Sequence, residues 1–140
     1  MNFSWTKNTN NNISLIDVGA NYRMITEEFC KYYYKLFDNN FLQLNEIYQA
    51  DSFFTFLDEE MIGFCNLVEK IKQYNIQKFT HQTINVNSQP IGERTLLINT
   101  CGKLSVNDSM IQYHFSETIL LQRDDNNRFK IHRSMFKLMD

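Results

Sequence analysis

The chain is predicted to fold as a single α+β domain, and three observations carry that reading. Apolar residues recur at helical spacing in the first third of the 140 residues, including an aromatic run, Phe29 to Phe37. From Gln77 onward the pattern changes to long stretches rich in β-branched and aromatic residues. Those stretches are separated by Asn87-Ser88-Gln89-Pro90, Asn107-Asp108-Ser109 and Asp124-Asp125-Asn126-Asn127, each a turn signal. Helices first and antiparallel strands last place the helices on one face of a curved sheet.

In order along the chain, Met1 to Asn12 is polar and reads as a flexible tail, with Trp5 unassigned, ahead of a domain over 13–140. A helical pattern runs from Ile13 to Phe37, with a break expected at Gly19. Tyr22, Ile25, Phe29, Tyr33 and Leu36 share one stripe, because residues three, four and seven apart face the same way. Burying one such side chain contributes roughly 1.5–3 kcal/mol, so the stripe needs cover. Asp38-Asn39-Asn40 is a turn. A short helix with Leu44, Ile47 and Tyr48 on one side follows. Ser52 to Leu57 reads as a strand, Asp58-Glu59-Glu60 as an acidic turn, and Met61-Ile62 as a short returning strand. Phe64, Leu67, Val68 and Ile71 define a third helix after Gly63. Four strands close the chain: Phe79 to Val86, Thr95 to Val106, Ile111 to Gln122 and Phe129 to Leu138.

The bulk numbers exclude several classes. A formal charge of −2 gives no basic footprint for nucleic acid. No run of eighteen apolar residues offers a membrane helix, and Met1 to Asn12 lacks the apolar stretch of a secretory signal. Cys30, Cys65 and Cys101 are widely spaced within apolar patterns and read as reduced, buried thiols of an intracellular protein. His81, His114 and His132 lie in three different strands and read as structural residues, so no metal site is expected. There is no phosphate-cradling glycine loop, nucleophile elbow or zincin motif, and no cofactor is expected. Gly102 is read as a bulge or bend. A curled sheet over an aromatic helix leaves a cavity at its open end, with Tyr48, Phe56, Phe79, Phe115 and Phe136 as lining residues. No Asp or Glu is placed on an inward-facing strand position, which leaves catalysis without an acid.

The order of motifs resembles the nuclear transport factor 2 family from Tyr22 to Leu138. It is carried by Phe29-x-x-x-Tyr33-Tyr34-x-Leu36-Phe37-Asp38-Asn39, Gln43-Leu44, Ile47-Tyr48, Ser52-x-x-Thr55 and Gly63. Val68-Glu69-Lys70-Ile71, Gln77-Lys78-x-x-His81-x-x-Ile84, Gln89-Pro90, Gly102-x-Leu104, Leu120-Leu121 and Met135-Phe136-Lys137-Leu138 complete it. The resemblance implies a cone, a curved sheet wrapped around the long N-terminal helix with two shorter helices. It implies a non-enzymatic homodimer joined through its sheets. Such a protein carries the GDP-bound GTPase Ran and grips phenylalanine-glycine nucleoporin repeats, working between nucleus and cytoplasm at the nuclear pore.

Carried onto this sequence, the Ran-binding residues are Phe56 and Phe136 in the cavity and Asp58, Glu59 and Asp108 on an acidic rim. Tyr22 and Ile25 are the nucleoporin-repeat surface. Three departures weigh against full transfer. Leu57 stands where the family has a glutamate important for Ran, Ser134 replaces an aspartate, and the loop at Asn107-Asp108-Ser109 is less acidic. These losses favour an alternative within the superfamily, the small subunit of the messenger-RNA export receptor, which pairs with a larger homologous domain. A third reading, an isomerase or dehydratase of the cone, requires Tyr48 or His81 to point inward beside a buried carboxylate.

Overall fold

The computed structural model describes residues 18–139, so the expected tail 1–12 and Trp5 lie outside the described residues. Helix α1 spans Val18–Asn39 and buries Ile25, Phe29, Tyr33 and Leu36 of the stripe, with Phe37 beside them, while Tyr22 is only partly buried. The backbone leaves helical geometry at Asn21 (φ −118°, ψ 17°) rather than at Gly19. Tyr34 is buried as well, which widens the stripe beyond its expected edge. After α1 the Asn40 amide donates to the Leu36 carbonyl at 2.8 Å. The expected short helix follows as a 3-10 helix over Phe41–Glu46, which ends before Ile47 and Tyr48.

Strand β1 (Tyr48–Phe56) begins earlier than its predicted start, and β2 is Glu59–Ile62. The connection is therefore Leu57-Asp58, with both residues at positive φ (52° and 71°), and Glu59 and Glu60 belong to the strand rather than the turn. Two left-handed residues match the twist of a two-residue hairpin. Leu57 bears a cost of roughly 1–2 kcal/mol for it, since its Cβ crowds the following carbonyl. Its amide donates to the Phe136 carbonyl at 3.1 Å, which fixes the turn against the sheet.

Helix α2 (Phe64–Gln73) turns Phe64, Leu67 and Ile71 inward. Strands β3 (Phe79–Ile91), β4 (Thr95–Val106), β5 (Tyr113–Arg123) and β6 (Phe129–Met139) follow. Strand β3 runs straight through the expected turn at Asn87–Pro90, and the chain reverses instead at Gly92 (φ 71°). Proline is tolerated there because β3 is an edge strand and needs no second ladder. The strand order is β2-β1-β6-β5-β4-β3, antiparallel except for the parallel pair β1–β6. Pairing through Gly102 is regular, and the irregularities fall at His81/Thr83 and Leu120/Leu121. Helices α1 and α2 lie on one face of this curved sheet, giving the predicted α+β cone. Of the three cysteines only Cys30 is buried, its thiol pushed up to about 12 by burial first and then by the charge of Glu117, whereas Cys65 is exposed.

Candidate functional site: a closed cone with an acidic rim

The inside of the cone is built from aromatic rings. Phe56 and Phe136 stack with centroids 5.1 Å apart and planes 13° from parallel. Phe37 packs on Phe79 at 5.0 Å and on Phe41 at 5.1 Å. Tyr48 stacks on Phe64 at 5.2 Å. All five expected lining residues are buried. The void left among Phe56, Phe136, Tyr33, Tyr48 and Glu117 is about 10 Å³. That is the scale of one water molecule. The expected open cavity is thus corrected, because Phe37, Phe41, Phe54, Leu67 and Ile71 close around this void.

A second correction lies at the centre. Glu117 on β5 points inward and is 1% exposed, contrary to the expectation that no strand acid does so. Tyr33 donates to its Oε2 at 2.8 Å, Tyr34 to its Oε1 at 2.7 Å, and Ser134 to Oε2 at 3.0 Å. With the Tyr33 proton committed, Tyr48 donates to the Tyr33 oxygen at 3.1 Å. Thr100 does the same for Tyr34 at 2.5 Å. Burial raises the Glu117 pKa above the usual carboxylate value, opposed by the hydroxyls of Tyr34 and Tyr33. Burial also pushes the phenols of Tyr33, Tyr34 and Tyr48 up, with the charge of Glu117 adding to it. Ser134, which stands where the resembled family has an aspartate, lies buried on the neighbouring strand β6 as one of the three donors. The alternation Phe115, Glu117, Ile119, Leu121 carried the signal, since residues two apart share a face.

Beside this cluster, Asp38 clamps His81. Its Oδ1 lies 2.6 Å from Nδ1, and its Oδ2 accepts the His81 amide at 2.8 Å. The imidazole lies against Tyr34, Phe37 and Phe115. Asp38 therefore ties the end of α1 to β3. Among the described residues, no group of three or more His, Cys, Asp or Glu side chains converges as a metal site would require.

The rim acids are exposed, and each already faces a lysine of this chain. Asp58 lies 4.0 Å from Lys137, and Asp108 lies 3.2 Å from Lys78. Glu59 is 3.2 Å from Lys70 and accepts from the Tyr74 hydroxyl at 3.0 Å. Those two partners, Tyr74 first, hold its carboxyl below the usual value. Of the expected repeat-binding pair, Tyr22 is partly exposed but Ile25 is fully buried in the core, which corrects its placement on a surface. A cleft of about 360 Å³ opens next to the cone, between Leu42, Val68, Ile76, Lys78 and Phe79.

Residues 25–138 match the family model described as the nuclear transport factor 2 domain. The chain belongs to this family. Nuclear transport factor 2 of Emericella nidulans is 27% identical over 121 residues, spanning 86% of this chain and 97% of that protein. Among solved structures, nuclear transport factor 2 of Cryptosporidium parvum superposes with a TM-score of 0.72 at 24% identity, covering 95% of this chain and 99% of that one. A chain of the Mtr2–Mex67 M domain complex of C. albicans gives 0.62 at 15% identity, covering 83% and 93%. The two structural likenesses speak to the fold. The cone built above is that family's fold, and in this chain Glu117 is buried at its centre.

Proposed function

We propose that this protein is a nucleocytoplasmic transport factor that acts by binding other proteins, with Ran-GDP as its principal partner and phenylalanine-glycine nucleoporin repeats as its contacts at the pore. The supporting observation is the family match along residues 25–138, which includes every strand and both α-helices of the cone in whole or part. Asp58, Glu59 and Asp108 supply steering toward basic groups on the partner, an effect exerted mainly on association rate. Because Phe56 and Phe136 close the cone, the aromatic anchor from Ran seats in the neighbouring cleft of Leu42, Val68 and Phe79 or displaces the stacked pair. Tyr22 remains the repeat-binding aromatic. Binding rather than catalysis is favoured by the interior: Glu117 has its acceptors occupied by three hydroxyls, and the void beside it is too small for a substrate.

Leu97, Met135 and Met139 stand exposed on the sheet face opposite the helices, Met135 at 55%. Exposed apolar side chains on a sheet face are suited to a partner sheet, which supports a homodimer. The second reading is a heterodimer with a larger messenger-RNA export subunit. It is favoured by the self-paired rim, since each acid must give up its own lysine before it can hold one from Ran.

Calorimetry with Ran loaded with GDP and with GTP decides between them. Selective binding of the GDP form is expected, and equal or absent binding overturns the Ran reading. Sedimentation at micromolar concentration is expected to show a dimer. A monomer of 16.8 kDa points to the missing larger subunit instead.

A further inference from the structure

The two edges of the sheet are built differently. Strand β2 is four residues long and opens with Glu59 and Glu60, and short, charged edges are how sheets avoid pairing with other chains. Strand β3 is thirteen residues long, and no further strand covers it among the described residues. Its irregular features stand near its ends, the bulge at His81/Thr83 and Pro90. Between them Ile84-Asn85-Val86-Asn87-Ser88-Gln89 carries no charge, no proline and no break in register. Such a stretch leaves backbone N–H and C=O groups pointing away from β4 along roughly 20 Å, at about 3.3 Å per residue.

A groove of about 780 Å³ follows the same edge, between β3 and α1. Its helix wall is Tyr22, Thr26, Cys30 and Tyr34, residues at a spacing of four and hence one stripe. Its strand wall is Ile84 and Val86, the latter 37% exposed. The Thr26 hydroxyl meets that of Ser88 at 2.8 Å and Asp38 clamps His81, so β3 runs antiparallel to the helix and Ile84 lies toward Tyr34. At that end the helix lip is cationic. Lys31 and Lys35 are exposed one turn apart, and neither has an ion pair among the described residues. At the other end Arg23 is engaged, its Nε donating to the Tyr22 hydroxyl at 3.1 Å. Glu27 is the acid of the lining, set against Arg23 and Lys31, which leaves the lip net positive.

We infer that this seam receives an extended peptide segment of a protein partner, added to β3 as a seventh strand with an acidic residue at Lys31. The open backbone edge selects an extended occupant, since main-chain hydrogen bonds supply affinity in strand addition and alternate side chains supply specificity. One alternate set faces Ile84, Val86 and Cys30 and is apolar; the other faces water and is polar. The unpaired cations set the charge of the end beside Ile84. That acid distinguishes the segment from the phenylalanine-glycine repeats assigned to Tyr22, and the surface is separate from the acidic rim. The inference is therefore independent of the transport reading.

A phage library of random linear peptides panned on the full chain tests this. Enriched sequences are expected to alternate apolar and polar residues and to carry Asp or Glu at one end. A fluorescein-labelled enriched peptide is expected, by fluorescence polarisation, to bind Lys31→Glu about five- to tenfold more weakly. Exchanging the peptide's acid for lysine is expected to restore that binding. Val86→Asp, which sets a charge on the edge, is expected to abolish binding, with the far-UV circular dichroism of both variants unchanged. Failure to enrich any peptide overturns the proposal. So does binding indifferent to Val86→Asp, because the peptide then sits elsewhere, or to Lys31→Glu, because the charge then plays no part. Affinity that falls as the protein is concentrated overturns it too, since the edge is then taken by a second copy.

Discussion

The carboxylate at the centre of the cone and those on its rim obey the same chemistry under opposite conditions. Glu117 is out of water and held by three hydroxyls, two of which, those of Tyr33 and Tyr34, are themselves held by Tyr48 and Thr100. Asp58, Glu59 and Asp108 stand in water, each near one lysine. In the interior, removing one partner strands the others, because a buried donor without an acceptor loses its full hydration. On the rim, solvent replaces whatever is lost, and exposed ion pairs contribute little to stability. The centre therefore specifies the fold, and the rim is free to be spent on partners.

The sharpest way to break this contrast is Glu117→Ala. It leaves Tyr33, Tyr34 and Ser134 without their acceptor and opens a cavity. A loss of about 3–5 kcal/mol is expected by urea denaturation, a large part of a domain's whole stability. A loss below about 1 kcal/mol would place the network at the level of a surface pair.

Glu117→Gln sharpens the contrast by removing charge while keeping shape. Because folding raises the Glu117 pKa, the native state holds this proton more tightly than the unfolded chain does. Its contribution is therefore most favourable below the unfolded value, about 4.3, and is lost as pH rises from there through the raised native value. The stability of the wild type relative to the Gln variant is expected to fall across that window and to be flat below it. A difference independent of pH throughout would show that the carboxylate titrates as it does in the unfolded chain. The smallest effect belongs to the rim. Asp58→Asn is expected to change stability by less than about 0.5 kcal/mol. It is nonetheless expected to slow association with Ran-GDP and weaken its salt dependence, as stopped-flow measurement would show.

Much of the architecture was legible because local chemistry and global fold agree. The α1 stripe, the helix after Gly63 and the strand starting points at Phe79, Thr95 and Phe129 all stand where periodicity put them. The misreadings came from residues whose local preference is overruled by position. Asn87 to Pro90 has turn chemistry, yet it lies on an edge where a strand can continue through it. Leu57 has no preference for positive φ, yet the pairing of β1 with β2 forces it there and displaces the acidic run by one residue. Glu117 was missed although alternation placed it inward, because a charged side chain is read as exposed unless its partners are known. Those partners come from α1 and β6, distant in sequence. The filled cone was illegible for a related reason: how far Phe37 and Phe41 reach is set by packing and not by spacing.

The parallel pair β1–β6 has a consequence in time. Strands β3 to β6 form a meander whose neighbours in space are neighbours in sequence, and β1–β2 is a hairpin closed by two residues. Among the described residues, the strand pairing that joins these two local units is the seam at Phe53–Arg133 and its neighbours. Closing a long loop is entropically late, and distant pairings slow folding toward the millisecond-to-second range. Until that seam forms, β1 offers an unpaired edge and the aromatic interior lies open. The seam is thus the step at which the nascent protein is most exposed to aggregation, and its closure is the rate-limiting event expected in refolding.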